Sequence, residues 1–83
     1  MIKVAETKIN GGELIVVIEG DSVDEANSAD ARKLAYETRL EKGFSNAGIE
    51  AIGGPYMHVP EGSDDRLFDE RKWRKDFRLK PSI

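Results

Sequence analysis

No cysteine occurs in the chain, so it has no disulfide, no thiolate–metal site and no cysteine nucleophile. Small secreted domains usually rely on such staples, and their absence leads us to expect a reducing, cytoplasmic setting. Histidine is almost as scarce: His58 stands alone. With no second histidine or patterned acid nearby in sequence, it lacks the positioned partner that general-base or metal chemistry requires. Long hydrophobic runs are missing as well. The longest, Leu14-Ile15-Val16-Val17-Ile18, falls far short of the ~20 residues needed to cross a bilayer. No basic stretch followed by an apolar one opens the chain, so neither a membrane span nor a signal peptide is expected.

Two glycine-rich stretches and two acidic ones resemble motifs without completing them. Asn10-Gly11-Gly12 and Gly53-Gly54-Pro55 are followed by no Lys-Ser/Thr and show no dinucleotide-binding spacing, so they read as turns. Asp21, Asp24 and Glu25, like Asp64 and Asp65, lack the alternating ligands and central glycine of a calcium loop. Helix capping accounts for them. No catalytic, cofactor-binding or metal-binding residue is therefore expected.

What is present fits one small domain. Eighty-three residues bury roughly 60–65 % of the surface that the unfolded chain exposes, enough for a single core layer. Lys3 to Ile9 and Glu13 to Glu19 predict a β-hairpin around Asn10-Gly11-Gly12, whose residues tolerate the positive φ of tight turns. The five-residue apolar run does not alternate, so it suits a central strand covered on both faces. Ser22-Val23-Asp24-Glu25 has the form of a capping box opening a helix. Residues 23–42 contain no proline or glycine, and Gly43 stands where a C-terminal stop belongs. One long helix is the expectation, with Val23, Ala26, Ala31, Leu34, Ala35 and Thr38 roughly along its core face.

After a short loop at Ser45 to Gly48, Ile49–Ile52 and Tyr56–Val59 predict two short strands around the second glycine pair, or one bent strand. Ser63-Asp64-Asp65 then has the character of a helix start. At ~100° per residue, Leu67 and Phe68 fall opposite Trp73 and Phe77, so one amphipathic helix fits poorly. With period two, Lys72, Arg74, Asp76, Arg78 and Lys80 share one face, and Trp73, Lys75, Phe77 and Leu79 the other. A short helix at about 64–72 followed by an extended or docked arm is expected; a helix running to Phe77 is the alternative. The fold class is α+β: an N-terminal hairpin, one long helix on a small, mainly antiparallel sheet, and a short C-terminal helix or arm. Residues 1–83 form a single domain, with 71–83 as the arm.

Charge is split sharply along the chain. Between Arg71 and Lys80 stand six basic residues against Asp76, a local net charge of +5, which leaves −8 on the remaining 73 residues. Arg71, Lys72, Trp73, Arg74, Lys75, Phe77, Arg78 and Lys80 interleave cations and aromatics, so they are the candidate partner-binding residues. Trp73 and Phe77 would be the anchors and the cations would steer encounter. Two plainer readings compete: the aromatics are a core face, or the segment lies against the acidic body and neutralises it. Glu37 and Glu41, with Asp30 and Lys33 at the rim, form an acidic helix face that reads most simply as a solubility device.

A non-enzymatic binding or adaptor protein that docks a macromolecular partner is the leading expectation. That partner is a protein, either a second copy of the chain or another molecule. The alternative is nucleic-acid binding through residues 71–80, since cations neutralise phosphates and aromatic faces stack on bases. In size, acid-rich body and lack of cysteine, the chain is similar to small phage or prophage accessory and inhibitor proteins, a likeness of composition that covers no motif.

Overall fold

In the computed structural model, described for residues 1–44, 47–59 and 71–81, four antiparallel strands form one sheet with two helices on one face. The strands are β1 (Lys3–Asn10), β2 (Glu13–Gly20), β3 (Ala47–His58) and β4 (Lys72–Pro81), arranged in the order β1-β2-β4-β3. The helices α1 (Val23–Ala26) and α2 (Ala29–Glu41) lie between β2 and β3 in sequence. None is long and apolar enough to cross a membrane.

The expected hairpin forms. Gly11 and Gly12 take φ of +61° and +81°, which fits a two-residue turn twisted to match its strands. β2 lies inside the sheet, as its apolar run requires. Leu14, Val16 and Ile18 are fully buried beneath the helices, together with Phe77, Leu79, Ala31 and Ala35. Its other face departs from expectation, because among the described residues no second layer covers it. Instead Ile15 and Val17 are flanked in register by Lys8, Arg78, Glu6 and Asp76, whose methylenes shield apolar neighbours. Val17 is only 7 % exposed.

The single long helix is corrected to two. Ser28 causes the break: its hydroxyl donates to the Glu25 carbonyl at 2.7 Å and accepts from the Ala31 N–H at 3.1 Å. One side chain thus closes α1 and caps α2. Ser22 caps α1 as expected, accepting from the Glu25 N–H at 3.1 Å, whereas the Glu25 carboxylate accepts from the Asp21 N–H. α2 stops at Gly43, φ +81°, where the Gly43 and Phe44 N–H groups reach the Leu40 and Arg39 carbonyls. That is a Schellman closure, and Phe44 folds back onto the core. Ala31, Ala35 and Thr38 form the buried face, while Val23 lies exposed on α1.

A larger correction concerns the C-terminal arm. Residues 72–81 are extended, as the period-two reading implied, but they form β4, an interior strand hydrogen-bonded to β2 on one side and β3 on the other. The short helix expected at about 64–72 lies outside the described residues except at its end, where Lys72 opens β4. β3 is one bent strand that takes in Ala47 and Gly48, with register irregularities between Ala51 and Gly53 and between Gly53 and Tyr56. At Gly54, φ +94°, a Cβ would stand 2.5 Å from the Arg74 carbonyl oxygen, so only glycine fits the bend.

Candidate functional site

β4 places its two side-chain sets on opposite faces. Phe77 and Leu79 point under the helices, and Phe77 is only 1 % exposed. Phe77 is therefore a core residue and cannot anchor a partner on the folded surface, a correction to its expected role. Trp73 remains half-buried, in register with Gly20 and Met57. Arg71 donates to the Met57 Sδ at 3.9 Å nearby.

Across the open face the β4 cations meet acids from the rest of the chain. The Arg74 Nε donates to the Glu19 Oε2 at 3.0 Å, and Glu19 is 6 % exposed despite its charge. Lys3 also approaches Glu19, at 3.6 Å. Arg78 bonds Glu50 at 2.8 Å and lies 3.7 Å from Glu13, with Lys80 at 3.8 Å from that same carboxylate. Lys72 donates to Asp21, and Lys75, on the helix side, to the Asn27 amide oxygen. The Lys72 ammonium, and after it the Met1 ammonium, hold Asp21 down at about 2. Arg78 likewise lowers Glu50 below the usual carboxylate range. Tyr56 donates to Asp76 at 2.8 Å; burial first, then this bond, push its hydroxyl up to about 12. Of the two plainer readings, each describes one side of β4: apolar side chains in the core, and cations set against the acidic body.

His58 sits in register with Lys72. Among the described residues no group of three His, Asp or Glu side chains could hold a metal ion.

A different pair of cations stands apart from this network. Arg32 and Lys33 on α2 are exposed and make no ion pair among the described residues. With Ala29 and Tyr36 they form one wall of a groove of about 470 Å³ whose other wall is Gly48 and Ile49 of β3. Tyr36 is held there by Arg39, whose guanidinium carbon stacks 4.0 Å from the ring centre. The groove exists because α2 packs over β2 and stops short of β3. Sequence reading missed it. The relevant residues lie on two elements, and their juxtaposition depends on strand order.

β3 is also an edge strand, and its outer side pairs with no strand among the described residues. The opposite edge, β1, carries Lys3, Glu6 and Lys8 and a bulge between Val4 and Glu6, the usual defences against unwanted pairing. The regular stretch Ala47–Ala51 of β3 has one charge, Glu50, and that is drawn inward to Arg78. Beyond it Ile52, Tyr56, Met57 and Val59 expose large apolar surface. Compared with known proteins, the chain matches no family model, no curated protein and no solved structure.

Proposed function

We propose that this chain is a non-enzymatic binding protein that docks a protein partner along the outer edge of β3. The carrying observation is the run Ala47–Ala51, an edge whose outer side pairs with no strand among the described residues, beside a groove and next to exposed apolar side chains. An extended segment can join such an edge as a further strand: its main chain supplies hydrogen bonds and its alternate side chains fill the groove. The β4 residues then serve chiefly from behind, by fixing β3 in place, while Trp73 and Arg71 border the Met57 end.

The test is a titration of isotope-labelled protein with a short peptide of alternating serine and valine. Amide shifts concentrated in Ala47–Ala51 are expected. Unchanged β3 amides with peptides of every charge would end the edge reading.

The nucleic-acid alternative is weakened by one feature: Lys72, Arg74, Arg78 and Lys80 are all engaged by carboxylates of the same chain. Releasing them to phosphate would leave those acids unpaired and repelling the ligand. No gel shift with single- or double-stranded DNA at low salt is the expected result.

A further inference from the structure

We infer that the segment docked on β3 is acidic: an extended peptide whose backbone pairs with Ala47–Ala51 and whose carboxylates reach Arg32 and Lys33 across the groove. This deepens the edge-docking reading and rests on it. Two observations carry it.

The first is charge. In a chain of net charge −3, the groove wall presents two exposed cations without an ion-pair partner among the described residues. On a helical wheel Ala29, Arg32, Lys33 and Tyr36 share one side, and Glu37 is turned away from their centre by roughly a quarter circle. Asp30 lines a separate depression with Met1, Asp24 and Glu25. Among the described residues, therefore, no acid lines the groove wall to compete with a ligand's carboxylate.

The second concerns a second copy. Pairing β3 with β3 of another molecule brings in only Glu50, already bound to Arg78. Arg32 and Lys33 of both copies would remain uncompensated, so a foreign acidic segment fits better than a twin.

The decisive experiment measures fluorescence anisotropy of labelled alternating peptides, Glu-Val, Ser-Val and Lys-Val, with the full chain at low and physiological salt. The Glu-Val peptide is expected to bind about tenfold more tightly than Ser-Val at low salt, with the margin shrinking as salt screens the charges. Arg32→Glu with Lys33→Glu should erase that preference while leaving Ser-Val binding and the melting temperature unchanged. Lys42→Glu, an exposed cation outside the groove, should change nothing. Equal binding of Glu-Val and Ser-Val would overturn the acidic assignment and leave edge docking standing; failure of every peptide would remove both. Single-stranded DNA binding as tightly as Glu-Val, with the same loss in the double variant, would reassign the site to phosphate. Self-association in light scattering that Arg32→Glu with Lys33→Glu leaves intact, and that excludes the peptides, would reassign it to a second copy.

Discussion

Two sets of cations in this chain look alike in sequence and differ in situation. Those of β4 alternate with aromatic and aliphatic side chains and attract notice by density, yet Arg74, Arg78, Lys72 and Lys80 are bound to carboxylates of the same molecule. Arg32 and Lys33 are two ordinary helix residues beside acids, yet at the rim of a groove they stand without ion pairs among the described residues. Local charge density measures what must be neutralised; strand order decides whether the chain neutralises it itself. Here the denser cluster is paired within the sheet, and the sparser one has no ion-pair partner among the described residues.

The largest expected effect in breaking this contrast is at Phe77. Because its ring is buried among Leu14, Val16 and Leu79, Phe77→Ala should cost about 3–5 kcal/mol in urea unfolding; a loss of binding with stability intact would restore it as a surface anchor. Arg74→Ala comes next. It strips the buried Glu19 of its nearer partner and leaves Lys3 at 3.6 Å, so a loss of about 2–3 kcal/mol is expected, below the range for a fully buried pair. A smaller effect is read by acid titration of Asp21. Its carboxyl is lowered from 3.8 to about 2, so its stabilisation is present above the ordinary aspartate range and is lost as pH falls through about 2. Asp21→Asn should therefore flatten the decline in melting temperature across that window. Smallest of all, Arg32→Glu with Lys33→Glu should shift stability by no more than about 0.5 kcal/mol, as at an exposed surface without partners. A large loss there would show that these cations too are structural.

Local signals made much of the fold legible. The glycine turn, the apolar run of β2, the Ser22 cap and the Gly43 stop each act over a few residues, and each is found in place. The break at Ser28 was readable too, since Ser28-Ala29-Asp30 repeats the spacing of Ser22-Val23-Asp24, but the absence of proline and glycine outweighed it. The position of β4 was not readable. Period two reports an extended backbone with unlike faces, and it is the same for a surface arm and for an interior strand whose long cations lie over one face. The groove was hidden for a related reason: Arg32 and Ile49 face each other across it only because β4 inserts between β2 and β3 and sets β3 to one side of α2.

The most direct test of the contrast is amide hydrogen exchange of the full chain with and without the alternating Glu-Val peptide. The account predicts slowed exchange at Ala47–Ala51, with β1 unchanged and β4 already protected on both sides in the free protein. Rapid exchange along β4 in the free chain, with peptide-induced protection there and none on β3, would contradict it.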